Sequence, residues 1–405
     1  MVVGGGFAGL AAAADASRAG LSTTLLERRA SLQGPLHLVA EATSAGTELR
    51  LNTTVWGIWG HELAVWSPDS GCSVLGAHQV ILATGAFERP VAFPGWTLPG
   101  VITAGGARRL LEQGVAPGER VCVAGYGPWL ASIAADLRAA GVHLVGVVDA
   151  SARPGRVVVR AEGTDRVERV VVAGTAADWS ASNAERSEMG VDALVLACGL
   201  LPENQLARLA GCSQLASAHV DPAIERDPWM RTSAPGILVA GDAGAVRGPD
   251  AALDQGRLAG LAAAVDAGGL DQITAASRAR TAQDRLSVAD AAKDYSPPRP
   301  GLLTLADPDT VICRCEDVTM REIQERLFEG TVEPGPVIAE TRAAMGACQG
   351  RHCASLVAAV ISRQTGTALE RIPPVTPRPP VLPVPLGALA ERPPEFETDP
   401  RSSST

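Results

Sequence analysis

At 405 residues and 46% hydrophobic content, the chain has material for two or three domains with real cores, so a soluble globular protein is expected. Its net charge of −9 and a lone lysine, Lys293, leave no basic stripe for a phosphate backbone, which argues against nucleic acid as a partner. No apolar run approaches the roughly 18 residues of a membrane span, and Asp15 and Arg18 interrupt the first apolar stretch, so neither a span nor a signal peptide is expected. A cytoplasmic location follows, where disulfides are disfavoured.

Val2-Val3 reads as a strand that turns through Gly4-x-Gly6-x-x-Gly9 into an Ala-rich helix ending near Gly20, followed by a strand over Leu21–Glu27. The first glycine suits the tight turn, the second a close approach of backbone to a pyrophosphate, and the third close helix–strand packing. The helix start, with Phe7 and Ala8, offers free N–H groups and the positive end of the helix dipole to that pyrophosphate. Glu27, flanked by Arg28, stands 18 residues after Gly9, where a carboxylate accepts hydrogen bonds from an adenosine ribose and repels a 2′-phosphate. FAD or NAD is expected there, not NADP. Only Met1 to Val3 precede Gly4, about half the usual strand length.

A second apolar strand ends in Ala83-Thr84-Gly85. From Val121 the βαβ pattern repeats: a strand to Ala124, a turn through Gly125 and Gly127, a helix to about Ala140 and a strand Val142–Asp149. Asp149 suits a ribose, but Leu130 occupies the place of the third glycine, so NAD(H), another adenine nucleotide or an empty structural domain all stay open for this second site. Leu194–Gly199 echoes the earlier strand and turn, and Gly236–Ala240 runs into Gly241-Asp242 and a helix from Ala251 to about Val265. Such turns fall at the carboxyl edge of a sheet, where open α/β sheets bind ligands.

The expected fold class is α/β, with two Rossmann-like dinucleotide-binding domains, one inserted in the other, plus a small helical cysteine module. The expected division is 1–103 with 228–300 for the first domain, 104–227 for the second, 301–371 for the module, and 372–405 for a proline-rich extended tail with a disordered end.

Of eight cysteines, Cys72, Cys122, Cys198 and Cys212 stand apart and read as structural. Cys313-Arg314-Cys315 and Cys348-x-x-x-x-Cys353 form two pairs separated by 32 residues, with a capping box at Thr319 and Glu322 starting an intervening helix. Four thiolates suit a [2Fe–2S] cluster or structural zinc, and unmetallated thiols also stay open; the one-residue gap of the first pair is less typical of zinc. Trp96, Trp129 and Trp229 lie near the turns and read as packing residues. No Ser-His-Asp set, HExxH motif or paired catalytic carboxylate is evident, so no catalytic residue is assigned.

On these residues the chain resembles the flavin-containing, non-catalytic subunit of heteromeric amino-acid dehydrogenases, a group that includes the B subunit of cyanide-forming glycine dehydrogenase, the A subunit of opine oxidase and the alpha subunit of proline or hydroxyproline dehydrogenase. The resemblance rests on Val3 through Gly9, Ala83-Thr84-Gly85-Ala86, Pro94-Gly95-Trp96 through Val101, Gly125-Tyr126-Gly127-Pro128, Pro202-Glu203-Asn204, Gly241-Asp242, Cys313 through Glu316, Thr341 through Cys353, and Arg378 through Gly387. It implies FAD at the first site, with Gly241-Asp242 reaching its ribityl-pyrophosphate part, a [2Fe–2S] domain of the bacterioferritin-associated ferredoxin type, and a second, amine-oxidising flavoprotein as partner. The loop after Glu27 is shorter than in that group, which predicts a reduced flavin environment. An electron-transfer subunit is the leading expectation; a stand-alone NAD(P)H-dependent flavin oxidoreductase and a flavin-free Fe–S scaffold are the alternatives.

Overall fold

The computed structural model describes residues 1–32, 34–215, 223–292, 298–327 and 332–390. Val2–Val3 is two residues long yet central, pairing in parallel with Thr24–Leu26 on one side and Val80–Leu82 on the other. Glu48–Arg50 and Ile237–Val239 complete this five-stranded sheet. So short a strand holds its place because both faces are covered. Val2, 1% exposed, packs with the helices Phe7–Arg18 and Pro249–Asp266, whereas Val3, 5% exposed, packs on the opposite side with Val55, Ile58 and Leu63.

Those two helices lie backbone to backbone. A Cβ placed on Gly256 would stand 2.2 Å from the Ala8 carbonyl oxygen, and one on Gly260 would stand 2.4 Å from that of Ala12. Small residues on both helices thus set the depth at which the fingerprint helix sits.

The second sheet runs Leu144–Asp149, Val121–Gly125, Ala193–Ala197, Val101–Thr103, all parallel. It corrects two expectations from the sequence. Val101–Thr103, assigned to the first segment by the boundary at 103, pairs with Leu194–Leu196 and belongs to the second sheet. The strands expected to begin at Leu21 and Val142 begin instead at Thr24 and Leu144, because Leu21 N–H closes the preceding helix on Ala16 (3.1 Å) and Val142 N–H closes its own on Leu137 (3.0 Å). Two antiparallel three-stranded sheets, Thr54–Trp59 with Glu62–Ser67 and Gly71–Gly76, and Arg156–Glu162 with Arg169–Thr175 and Ala181–Gly190, complete the main layers.

The cysteine segment holds the hairpin Val311–Cys313 with Val318–Thr319 and the helices Met320–Glu325, Pro334–Thr341 and Ala354–Thr365. Thr319 and Glu322 cap the first of these reciprocally, as the capping box requires. The segment is not purely helical, and its apolar side is continuous with another part of the chain. Ile312, Ile323, Val337, Leu356 and Ile361 share one core with Phe93, Trp96, Val157 and Val170, and Trp96 Nε1 donates to Val311 O at 2.7 Å across the seam. Residues 372–385 carry no helix or strand before the short helix Leu386–Ala390, and the tail end expected to be disordered lies outside the described residues, as does Lys293. Among the described residues, no helix is long and apolar enough to cross a membrane.

Gly256→Ala is expected to destabilise the protein by about 1–3 kcal/mol, since the new methyl meets backbone that cannot yield locally. In contrast, Gly335→Ala, where a Cβ meets nothing within 4 Å, is expected to be neutral or stabilising. Thermal unfolding of both variants checks the pair; equal Tm values would contradict the close-packing account.

Candidate functional site

Because the first sheet is parallel and in register, Gly4, Glu27, Ala83 and Ala240 follow their strands to the same carboxyl edge. At Gly4 (φ 106°) the chain turns sharply, and a Cβ on Gly9 would lie 1.8 Å from the Gly4 carbonyl oxygen, so helix and turn are in backbone contact. Gly6, by contrast, faces open space, with nothing within 4 Å of a Cβ built there. The helix it precedes has no capping side chain and no acidic residue in its first turn, which leaves its N–H groups available to an anion. Ala8 is buried against Gly241 and Gly256, and Phe7 is half-buried against the same core.

Glu27 is buried, and its carboxylate is held at both oxygens: Gly5 N–H donates to Oε2 at 2.7 Å and Arg29 N–H to Oε1 at 2.9 Å. Each oxygen keeps acceptor capacity for a hydroxyl. The segment after Glu27 is tied to the next strand by Thr53 N–H to Glu27 O and Asn52 N–H to Arg29 O. Gly241 N–H donates to Gln255 Oε1 (3.0 Å), and Asp242 accepts from the amides of Arg247 (2.8 Å) and Gly248 (3.1 Å). Burial pushes the Asp242 carboxyl above its ordinary range despite those amides.

A cavity of about 70 Å³ opens at this edge, walled by Gly4, Glu27, exposed Arg28 and Thr84 on one side and by Glu203, Arg351, Val381 and Leu382 on the other. It holds a fraction of a dinucleotide, since pockets for small molecules begin at about 300 Å³. Gly4 and Glu27, expected from the sequence to face a pyrophosphate and a ribose, both line it.

Arg351 has no role that its sequence motif assigns. It lies between Cys348 and Cys353, and its guanidinium forms a two-pronged ion pair with Glu203, the second contact being Nη2 to Oε1 at 3.0 Å. Both side chains are nearly buried, 9% and 13% exposed. Arg351 Nη1 also donates to Cys348 O (3.1 Å) and Val381 O (2.6 Å), while Glu203 receives the Thr84 hydroxyl at its carbonyl and donates its amide to Gly85 O (2.9 Å). One salt bridge therefore joins the first sheet's turn, the cysteine loop and the tail. Its two charges are legible in the sequence; their pairing across 148 residues is not.

The four candidate cysteines come together around this loop. Cys353 shares hydrogen bonds with Cys313 and Cys348, and Cys348 with Cys315, so the sulfurs form a chain of contacts. Cys313 and Cys353 are buried, Cys348 is half-buried, and Cys315 is exposed. Among the described residues no group of three or more His, Cys, Asp or Glu side chains is placed to hold a metal ion, and Cys315 is the exposed member of the four. The donor chemistry still fits a soft metal. Backbone amides of Ala344, Glu316 and Cys315 point at the Cys313 sulfur, that of His352 at Cys348 and that of Cys348 at Cys315, an arrangement that stabilises thiolates. Hydrogen bonds from Cys353 hold Cys348 down to about 4 and Cys313 down to about 6, and the same bonds push Cys353 up. The loops are tightly wound: Asp317, Arg342, Ala344 and Gln349 all have positive φ, and a Cβ on Gly346 would lie 2.4 Å from the Cβ of Cys315.

Of the other four cysteines, Cys122, Cys198 and Cys212 are buried and Cys72 is half-buried, with burial pushing Cys122 and Cys198 up to about 12, and none of the eight is disulfide-bonded. The tryptophans pack: Trp129 Nε1 donates to Glu88 (3.3 Å) beneath Arg108, and Trp229 lies against the first core.

The second turn is different. Gly125 and Gly127 have positive φ, but Tyr126 between them is buried with its ring 4.9 Å from that of Trp179, and Arg299 covers Trp179. Asp149 spends Oδ1 on the amide and hydroxyl of Ser151. Beside Gly125 a cavity of about 20 Å³ remains, closed by Val148, Leu196, Leu302 and Leu305.

Residues 1–268 match the family described as Pyridine nucleotide-disulphide oxidoreductase, and residues 308–392 match the Sarcosine oxidase A3 domain. The chain is 30% identical to the HcnB subunit of hydrogen cyanide synthase from Pseudomonas protegens, over 96% of each chain. It is also 30% identical to the A subunit of opine oxidase from Agrobacterium tumefaciens, over 97% of this chain and 91% of that one. Its structure is similar to that of L-proline dehydrogenase from P. horikoshii, with a TM-score of 0.79 and 26% identity over 96% of this chain and 78% of the other. With its mixed α/β fold and a glycine fingerprint at the sheet edge, the chain belongs to the pyridine nucleotide-disulphide oxidoreductase family and is an FAD-dependent oxidoreductase.

Proposed function

We propose that this chain is the electron-transferring subunit of a hetero-oligomeric amino-acid oxidoreductase, carrying FAD at the Gly4–Gly9 turn and a [2Fe–2S] cluster on Cys313, Cys315, Cys348 and Cys353. The observation that carries this reading is the cavity lined both by Gly4, Glu27 and Thr84 and by Arg351 of the cysteine loop. The fingerprint turn and the cysteine loop share this wall, which supports a reading in which electrons pass between the groups the two would hold. When bound, FAD accepts an electron pair, and an iron–sulfur centre relays electrons singly.

In this reading the chain's own residues have defined tasks. The amides from Gly6 onward bind the pyrophosphate, Glu27 accepts the ribose hydroxyls, and Asp242 faces the ribityl side. Arg351 and Glu203, nearly dry, seal the loop side against water and fix the loop's position. The four thiolates, with amides directed at three of them, supply the ligands. The FAD-binding part is discontinuous, residues 1–100 with 228–300.

The relatives named above are subunits of hydrogen cyanide synthase and opine oxidase, and the similar structure is a proline dehydrogenase. They support an amine or imino acid as the ultimate electron donor, oxidised on a second flavoprotein subunit. The filled edge of the second sheet, with Tyr126 on Trp179, speaks against a reductase that takes hydride from NADH there.

Purified anaerobically, the chain is expected to contain flavin and about two irons per chain. Cys348→Ser should bring iron below about a tenth of the wild-type content while flavin stays, because the change leaves the Gly4–Gly9 turn and Glu27 untouched. Iron retained in full by this variant would overturn the ligand assignment. The isolated chain should not oxidise NADH above background, and amino-acid-dependent reduction should appear only when a partner subunit is added. Robust NADH oxidation by the chain alone would overturn the subunit reading.

A further inference from the structure

The carboxyl edge of the first sheet includes a guanidinium that no glycine motif announces. Arg226 follows the short strand Ala223–Ile224, and its Nη1 donates to Val239 O at 3.0 Å and to Gln255 Oε1 at 2.9 Å. Val239 ends the strand Ile237–Val239, and Gln255, 3% exposed, lies in the helix Pro249–Asp266. One nitrogen therefore joins the strand before the Gly241-Asp242 turn to the helix after it.

The Gln255 oxygen has a second donor, the Gly241 N–H at 3.0 Å. An amide oxygen that receives a backbone N–H and a guanidinium together has both lone pairs engaged, so its orientation is fixed. The turn it holds is crowded. Gly241 has φ 70°, and a Cβ there would stand 2.9 Å from that of Ala8 in the fingerprint helix. Gly244 lies against the guanidinium itself, where a Cβ would be 2.2 Å from Arg226 Cζ, and its carbonyl accepts from Ile224 N–H at 2.9 Å. Arg226 is thus packed between its own strand and the turn.

Both amides that Asp242 accepts, from Arg247 and Gly248, go to Oδ1, which leaves Oδ2, among the described residues, open to a hydroxyl. The Arg226 charge works against burial here and favours the carboxylate. Burial in turn lowers Arg226 to about 10, so it stays a cation near neutral pH.

We infer that Arg226 and Gln255 are positioning residues for the flavin: Arg226 fixes the Gln255 amide, Gln255 fixes the Gly241 N–H, and the turn so held presents Asp242 to the ribityl hydroxyls. This rests on the Asp242 contact proposed above and adds the residues that aim it. Asp254, which precedes Gln255, is tied instead to Arg285 of the helix Gln272–Ala292 (Nε to Oδ2, 2.9 Å) and supplies a control on the same helix.

Removing FAD from the purified full-length chain and titrating it back, with quenching of flavin fluorescence as the readout, tests this. Arg226→Met and Gln255→Met should each raise the Kd for FAD about tenfold, and the double variant should be within about twofold of the weaker single, because the two act in one chain of contacts. Arg226→Lys keeps a cation for the same two acceptors and should bind within about threefold of wild type. Arg285→Met should lower Tm while leaving the Kd within about twofold. Thermal melts establish which variants fold; should Arg226→Met not fold, Gln255→Met against Arg285→Met decides. An unchanged Kd in Arg226→Met, multiplying effects of the two changes, Arg226→Lys as weak as Arg226→Met, or an equal loss in Arg285→Met would overturn the inference. Asp242→Ala separates it from the reading beneath it. If that variant binds FAD as wild type does, the Asp242 contact fails and the inference falls with it; if it binds weakly while Arg226→Met binds normally, only the inference fails.

Discussion

Arg351 and Glu203 lie 148 positions apart, and their buried ion pair decides where the cysteine loop sits relative to the first sheet. Burying two charges is costly, and such a pair is weak evidence for net stability. Its value lies in geometry. A two-pronged guanidinium–carboxylate contact accepts one relative orientation, and here the same guanidinium also holds Cys348 O and Val381 O. Glu203 is fixed in turn by Thr84 and Gly85 at the end of a central strand. The position of the thiols is thereby referred to the turn that faces the nucleotide, and the tail is pinned as well, because Val381 N–H bonds Trp56 O.

The packing beneath this contact follows the same logic of close approach. The fingerprint helix is held between a two-residue strand and the helix Pro249–Asp266 by backbone contacts that tolerate no side chain at Gly9, Gly256 or Gly260. The second sheet uses its turn otherwise. Tyr126 is buried beside the end of Val121–Gly125 with its ring on Trp179, and Leu302 shares their core, so this half of the tandem contributes core more than cleft. That core extends without a break into the cysteine segment, so the segment rests on the second sheet's side of the molecule while its loop reaches the first.

What the sequence reveals depends on whether the cause is local. The turn glycines, Glu27 at its strand end and the Thr319–Glu322 capping box each act within a few residues, and their geometry follows the pattern. Strand starts at Leu21 and Val142 misled because helix closure competes for the same amides. The strand Val101–Thr103 found its sheet through a partner nearly a hundred residues away, which no local pattern encodes. Cys313, Cys315, Cys348 and Cys353 announce themselves by type and spacing, but Arg351 and Glu203, in motifs equally visible, do not disclose each other.

The most direct test of this picture is a double-mutant cycle on Arg351→Met and Glu203→Met in the full-length chain, read by equilibrium unfolding. Each single change leaves a nearly buried charge unpaired and should cost about 3–5 kcal/mol, whereas the double change removes both charges and should recover much of that loss, giving a coupling of at least about 2 kcal/mol. Costs that add to within about 0.5 kcal/mol would show that the two residues act independently, and would contradict the account of how the cysteine loop is docked on the nucleotide-facing sheet.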